Sequence, residues 1–424
     1  MLYREQQLKN LLAKGRILVA GFGREGRSSM AMLERLFPGR AFDIAENDEA
    51  AASMLRSRQY DLVIKSPGIP MFRFEGLIDL SKITSQTDLF LQVLGDQTIG
   101  ITGTKGKSTT TSLIYEVLHH HDPNTLKAGN MGIPLFDIWS QINADTRIVA
   151  EFSCHQMENI HRAPHVGVLL NFFEEHLDHY HDYLGYKMAK MQIALQQCSG
   201  DHFFYCSDNA ELADLVAQHL PQMKGTAHSY SLAQAYLAGT DKLPSLLVGN
   251  HNLSNIFVAQ QVCQLLGVEQ AEFAEVLRSF RGLEHRLELV GTFLGITFYN
   301  DSISTIPQAA IAAVEALKRV DTLILGGYDR GIDYSPLAEF LPSSGVRNIA
   351  LVGEAGARIG AMLKTNAFNI LTCNEYSKIV EWCFANTAQG GICLLSPAAA
   401  SYDAFQNFEE RGSVFKQLIL DYRP

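Results

Sequence analysis

No apolar stretch in this 424-residue chain approaches the roughly 18 to 20 residues that a membrane-spanning helix needs. The seven cysteines are odd in number, scattered and never spaced C-x-x-C, which excludes a disulfide framework and a cysteine zinc site. Charge is also scarce, at 19% of residues, and it leans acidic. The net charge of −10 leaves no basic face for sequence-independent nucleic-acid binding. The opening M-L-Y-R-E-Q-Q-L-K-N-L-L-A-K is too charged for the apolar core of a secretory signal. These absences together predict a cytoplasmic protein with reduced thiols that binds neither nucleic acid nor membrane. Hydrophobic residues, at 47%, suffice for ordinary cores, and the length suits two or three domains.

The strongest positive feature is I-G-I-T-G-T-K-G-K-S-T-T-T, residues 99–111. Gly100, Gly106, Lys107 and Ser108 resemble the phosphate-binding loop G-x-x-x-x-G-K-[ST], with five residues rather than four between the two glycines. Glycines let successive N–H groups turn inward onto phosphate oxygens. Lys107 brings a positive charge to the β- and γ-phosphates, and the Ser108 hydroxyl can ligate Mg²⁺. The context predicts a strand over 97–102 and a helix over 108–119, whose dipole favours an anion at its start. A nucleoside triphosphate is the expected ligand.

A second glycine loop lies upstream. The apolar run R-I-L-V-A (16–20) leads into G-F-G-R-E-G, with Gly21, Gly23 and Gly26, and then a helix to about Leu36. Asp43 and Glu46 follow about 20 residues on, as in dinucleotide-binding units. The geometry itself demands only a pyrophosphate near a helix start, so a nicotinamide cofactor is one reading and another nucleotide is the other. A strand at 62–64 ends in K-S-P-G-I-P (65–70), at the kind of edge where open α/β sheets bind ligands.

Downstream, strands are expected at 147–152, 165–171 and 203–207, with helices at 187–197 and 249–266. A third group of strands is expected at 297–300, 322–325, 348–352 and 392–395. Alternating β and α predicts parallel sheets and an α/β fold. After the strand at 165–171 comes a cluster of Glu174, Glu175, His176, Asp178, His179, His181 and Asp182. Such ligands suit Mg²⁺, and a solvated loop is the alternative. His119, His120 and His121 read as the basic end of a helix, and Cys154 as a packed thiol. Near the C-terminus, L-L-S-P-A-A-A-S-Y-D-A-F-Q-N-F-E-E-R-G is expected to expose Ser401 on a small-residue turn able to grip a carboxylate. A helix carrying Phe405, Phe408 and Arg411 is expected after it.

Taken in order, G-I-T-G-T-K-G-K-S-T-T, A-G-N-M-G-I-P, E-F-S-C-H-Q-M-E, N-x-x-E-E-H-L-D, G-L-E-H-R-L-E, N-D-S and the C-terminal stretch resemble the Mur ligases over essentially the whole chain. The resemblance implies three α/β domains: a Rossmann-like N-terminal domain for a UDP-linked substrate (1–93), a central P-loop ATPase with a mostly parallel sheet (94–284), and a Rossmann-like C-terminal domain that receives an amino acid (285–424). It also implies ATP and Mg²⁺ as cofactors, UDP-N-acetylmuramoyl-L-alanine and glutamate (in its D form) as substrates, and a monomer. The bond would form through an acyl phosphate, in cytoplasmic cell-wall precursor synthesis.

By matched position, Gly103, Thr104, Lys105, Gly106, Lys107, Ser108, Thr109, Asn255 and Arg286 would bind ATP. Gly21, Phe22, Gly23, Arg24, Asp43, Ser66, Pro67, Gly68 and Asn130 would bind the UDP substrate. Ser108, Glu151 and His176 would meet the metals, and Lys190, if carbamylated, would hold a second one; a surface lysine is the alternative. Lys107, His176 and Lys190 would be catalytic, while Thr305, Arg330, Ser401 and Phe408 would bind the amino acid's carboxylates. The chain departs from the family pattern at Lys105, usually Asn, at Ser153-Cys154, usually Ser-Ser, and at Arg330, usually Lys. In N-D-S-I-S-T, Ile303 stands where a lysine is expected. A different acceptor amino acid, or a nucleotide-binding partner subunit without strong catalysis, therefore stay open as readings.

Overall fold

The computed structural model describes residues 2–175, 179–180, 182–247, 249–363 and 367–423. The chain divides into two compact units, residues 1–244 with 250–278 and residues 245–249 with 279–424.

The first unit holds two wholly parallel sheets. One consists of β1 (Ile17–Ala20), β2 (Asp43–Ala45), β3 (Leu62–Lys65) and β4 (Ile83–Thr84), in the order β2-β1-β3-β4. The other consists of β5 (Thr98–Thr102), β6 (Thr125–Gly129), β7 (Arg147–Glu151), β8 (Val166–Leu169), β9 (His202–Cys206) and β10 (Thr226–Tyr230). Its order is β10-β9-β8-β5-β7-β6, so β5 lies between β8 and β7. Parallel strands covered by helices on both faces must be apolar throughout, and β1, β3, β5 and β8 are buried at every residue.

The two sheets of this unit are tied by a buried amide. Gln86, 1% exposed, donates to Ser29 Oγ and the Glu25 carbonyl at 3.2 Å each and accepts from Leu135 N at 3.0 Å. Beside it, Ser28 Oγ donates to Asp137 at 2.6 Å. Helix Arg24–Leu36, which follows the first glycine loop, is thereby fixed against the segment after β6.

The second unit holds β11 (Glu288–Phe293), β12 (Ile296–Asn300), β13 (Val320–Gly326), β14 (Asn348–Val352), β15 (Asn369–Thr372) and β16 (Ile392–Leu395). Their order is β11-β12-β16-β13-β14-β15, with β11 the antiparallel edge. Apolar layers cover both faces, one around Leu323, Ile349 and Leu394, the other around Phe298, Ile324 and Phe415.

Every strand expected from the sequence is present, with ends shifted by no more than two residues. Strands β2, β4, β6, β10, β11 and β15 were not anticipated; they are short, polar or at edges, so their apolar pattern is weak. The helix expected at 187–197 spans Tyr183–Leu195, because Asp182 caps it by accepting from Gly185 N. The C-terminal helix begins only at Phe408, capped by Asn407, so Phe405 precedes it rather than riding on it.

Gly100, in the middle of β5, has no room for a side chain. A Cβ there would lie 2.5 Å from Pro164 Cγ and 2.7 Å from the Phe152 ring. Gly100→Ala should cost about 1–3 kcal/mol through overpacking, read as a lower urea midpoint. An unchanged midpoint would mean that β5 is not clamped between these two rings.

Candidate active site

Four adjacent strands of the second sheet, β8, β5, β7 and β6, bring their carboxyl ends to one edge, and the phosphate-loop motif leaves from β5. Gly103 (φ +146°) and Gly106 (φ +86°) adopt backbone angles that side chains disfavour, and Gly106 is the N-cap of helix Lys107–His121. A Cβ on Gly106 would come within 2.7 Å of Asn255 Oδ1, so Asn255 packs directly on the loop. Asn171, just past β8, shapes the loop's other side. Its Oδ1 accepts from the N–H groups of Thr104 at 3.2 Å and Lys105 at 2.8 Å, and its Nδ2 donates to Lys105 O at 3.0 Å.

Two lysines meet this loop from different elements. Lys107 Nζ donates to Thr104 O at 3.0 Å, and burial lowers its ammonium below the usual lysine value against the pull of Glu151 and Glu175. Lys190, on helix Tyr183–Leu195, is 2% exposed and donates to Gly103 O at 2.8 Å. Its Nζ also lies 4.9 Å from the centre of the Tyr186 ring, whose hydroxyl is 2.7 Å from Thr104 Oγ1. Burial is the main force lowering Lys190 to about 8, and the positive Lys107 adds to it. The surface-lysine reading of Lys190 is therefore excluded.

Glu151 ends β7 and is 2% exposed. Its Oε1 accepts from Asn130 Nδ2 at 2.7 Å, while Oε2 is buried and has no hydrogen-bond partner among the described residues. A buried carboxylate oxygen left in that state is suited to a cation. Ser108 is half-buried in the first turn of the loop's helix, and Thr109 beside it is buried. The described members of the acidic and histidine cluster turn to separate partners. Lys105 pairs with Glu175, His179 lies 3.4 Å from Glu158, and Asp182 caps a helix. His176, Asp178 and His181 lie outside the described residues. Among the described residues, no group of three His, Cys, Asp or Glu side chains is arranged to hold a metal.

The first sheet offers a second anion cradle at the crevice between β1 and β3, where the strand order reverses. Gly21 (φ +88°) and Gly23 form the turn after β1, and Ser66 Oγ donates to Gly21 O at 2.6 Å from the turn after β3, which continues through Pro67 and Gly68. Arg24 donates to Gly132 O at 3.4 Å, which brings this loop to the segment carrying Asn130. Arg27 stacks over the Phe22 ring at 5.4 Å. Asp43 does not join the crevice. It opens β2, at the end remote from the glycine turn, and accepts from Tyr60 Oη at 2.9 Å; Glu46 is the acid at the strand's carboxyl end.

Two charged residues here escaped the sequence reading. Burial raises the Glu25 carboxyl to about 7, against a hydrogen bond from Gln156 Nε2 (2.6 Å) and the nearby Lys65. Lys65, 2% exposed, donates to Ile69 O at 2.8 Å and pairs with Glu158 at 3.0 Å. A half-protonated Glu25 at a helix start repels an incoming anion less than a full carboxylate would. Glu25 fills a variable position of G-F-G-R-E-G and Lys65 opens K-S-P-G-I-P, so neither pattern specified their chemistry.

In the second unit, Arg330 donates to Thr305 O at 3.2 Å, Phe408 stacks edge-on to His285 at 6.1 Å, and Arg286 is exposed. Ser401 is 2% exposed, contrary to the expectation of an exposed serine, because its carbonyl accepts from the N–H groups of Ala404 and Phe405 and folds the turn inward.

Comparison with known proteins agrees with this architecture. The Mur ligase middle domain matches residues 101–263. The UDP-N-acetylmuramoylalanine–D-glutamate ligase of Desulfitobacterium hafniense is 32% identical over 449 residues, covering 96% of this chain and 98% of that protein. The chain belongs to the Mur ligase family. A ligase of the same name from Listeria innocua is 31% identical, covering 95% of this chain and 96% of its own. Among solved structures, this Mur ligase resembles the UDP-N-acetylmuramate–alanine ligase MurC of Thermotoga maritima, with a TM-score of 0.56, 17% identity and coverage of 95% and 98% of the two chains. It also resembles MurF of Acinetobacter baumannii, with a TM-score of 0.59, 14% identity and 98% coverage of each. At such identities the likeness is one of fold.

Gly23 has open space around it, with nothing within 4 Å of a built Cβ and an ordinary φ of −74°. Gly23→Ala should therefore leave Tm unchanged yet raise KM for a ligand whose phosphates approach the turn. An unaltered KM for the nucleotide-linked substrate would remove this turn from the binding site.

Proposed function

We propose that this Mur ligase is an ATP-dependent enzyme that joins D-glutamate to UDP-N-acetylmuramoyl-L-alanine by an amide bond, as a step in peptidoglycan precursor synthesis. The observation that carries this is similarity above 30% along nearly the whole chain to ligases of that name. Residues 1–93 would take the UDP-linked acid, 94–284 the ATP and 285–424 the amino acid.

A carboxylate is a poor acyl donor at neutral pH. In this reading its oxygen attacks the γ-phosphorus of ATP, ADP leaves, and an acyl phosphate results. The glutamate amine then adds to the acyl carbon, and phosphate departs from the tetrahedral intermediate. The protein's part is alignment and neutralisation of charge. Loop N–H groups from Gly103 to Thr109 and the Lys107 ammonium would hold the β- and γ-phosphates, with Asn255 and Arg286 at the nucleotide. Gly21, Phe22, Gly23, Arg24, Ser66, Pro67, Gly68 and Asn130 would hold the UDP substrate. Thr305, Arg330, Ser401 and Phe408 would receive the amino acid.

Ser108 and the unpartnered oxygen of Glu151 fit Mg²⁺, with His176 as a further ligand; bound there, the ion would offset phosphate charge. Lys190 is suited to carbamylation, which needs the neutral amine. With its ammonium lowered to about 8, about a tenth of it is neutral at pH 7, against about one part in three thousand at the ordinary lysine value. Ile303 is half-buried, and its N–H donates to His285 O at 3.1 Å, so the missing lysine charge bears on which amino acid is accepted.

The test is phosphate release from ATP and Mg²⁺ with the UDP-linked substrate and a panel of amino acids. Release should need both the substrate and D-glutamate; release indifferent to every amino acid would overturn the reading. Lys107→Ala should lower turnover at least a hundredfold or so. Lys190→Ala should be slow and partly restored by short carboxylates such as formate. Full activity without them would show that no carbamate acts there.

A further inference from the structure

Each residue proposed to receive the amino acid lies on, or next to, one of three loops of the second unit. These follow β12 (301–305), β13 (327–330) and β16 (396–401). One buried side chain reaches them all. Arg411, in the first turn of helix Phe408–Asp421, is 1% exposed. Its Nε donates to Ser302 Oγ at 3.0 Å and its Nη2 to Ser302 O at 2.8 Å. Its Nη1 donates to Ala399 O at 3.0 Å and Ala400 O at 3.1 Å.

The Ala400 carbonyl also accepts from Tyr328 N at 2.9 Å, which joins the loop after β13 to the same group. A Cβ on Gly327 would lie 3.1 Å from Nη1, so that loop packs on the guanidinium itself. Ser302 passes the connection on, its hydroxyl donating to Phe408 O at 2.8 Å. The neighbouring Gly412 permits this approach: a Cβ there would be 2.2 Å from His285 Nδ1 and 2.9 Å from Asn300 Nδ2.

No carboxylate pairs with Arg411 among the described residues. Burying a cation without an ion-pair partner is costly, and an apolar side chain would fill the same space at less cost. What an apolar residue lacks is a rigid fork of donors that fixes several carbonyls at once, and a lysine's point charge lacks it too. We propose that Arg411 is a positioning residue that holds the three acceptor loops in register, so that Thr305, Arg330, Ser401 and Phe408 converge on the amino acid. Its link to the amino acid rests on the function proposed above; the clamp itself does not.

The experiment compares the wild type with Arg411→Lys, varying each substrate in turn and following amide hydrogen exchange. KM for D-glutamate should rise roughly tenfold to a hundredfold, with KM for ATP and for the UDP-linked substrate unchanged. Exchange should quicken at Tyr328 and Ala398 but not within β13 or β16. Parallel rises in all three KM values, or unaltered exchange at those amides, would overturn the proposal. Ser302→Ala, which removes the Nε acceptor together with the hydroxyl's own bond to Phe408 O, should move the same two readouts in the same direction and decides the matter if the lysine variant fails to fold. If the wild type ignores every amino acid while exchange still quickens in the variant, the clamp stands and the acceptor assignment falls.

Discussion

Burial of charge at the carboxyl edge of the second sheet is the constraint on which the candidate site depends. Lys190 and Glu151 are both almost without solvent, and Lys107 is half-buried beside them. Each is held by the backbone or an amide rather than by an opposite charge: Lys190 by Gly103 O, Lys107 by Thr104 O, Glu151 by Asn130. Such an arrangement is poor for stability, since desolvated charges gain most from direct pairing. It is well suited to a highly charged substrate, because groups not neutralising one another remain available to phosphate and cation. The lowered ammonium of both lysines and the unpartnered Glu151 oxygen record that unmet demand.

The first cradle works differently. Around it Lys65 pairs with Glu158 and Glu25 accepts from the Gln156 amide, and the glycine turns present backbone rather than side-chain charge. A cradle of N–H groups at glycine turns suits a diphosphate that is held and not transformed, the role proposed for this crevice.

The motifs made most of this legible because their physics is local. A phosphate loop needs glycine at positive φ and lysine at the helix start, so Gly106 and Lys107 could be read from spacing, and Gly103 from the family resemblance. Apolar runs such as I-L-V-A gave the buried strands in the same way. The roles of Asn171, Glu25, Lys65 and Arg411 could not be read so, because each acts on partners distant in the chain: Asn171 on Thr104 and Lys105, Lys65 on Glu158, Arg411 on Ser302 and Ala399. Ser401 failed for a related reason. A small-residue turn looks solvent-facing in sequence, yet its carbonyl is drawn inward by the N–H groups of Ala404 and Phe405. Asp43 failed because counting residues from a glycine turn does not say at which end of its strand an acid falls.

A fold does not by itself set which substrate a protein takes, so in the proposed reading the sheets would not be what selects the amino acid. In the proposed reading, selection would lie in the loops at the carboxyl ends of β12, β13 and β16, where glycines at positive φ (Gly326 and Gly327) and Ala398 at φ +57° hold backbone that would not keep its shape unaided. Cross-bonds from Gly326 N to Pro397 O and from Ala398 N to Ser304 O lock these loops to one another. Ile303 sits inside this network, bonded through its backbone to His285, so its side chain can vary without loosening the frame. A fixed frame with a free side chain is how one fold comes to accept different amino acids, and it directs the search for specificity to the side chains that these loops carry rather than to the scaffold beneath them.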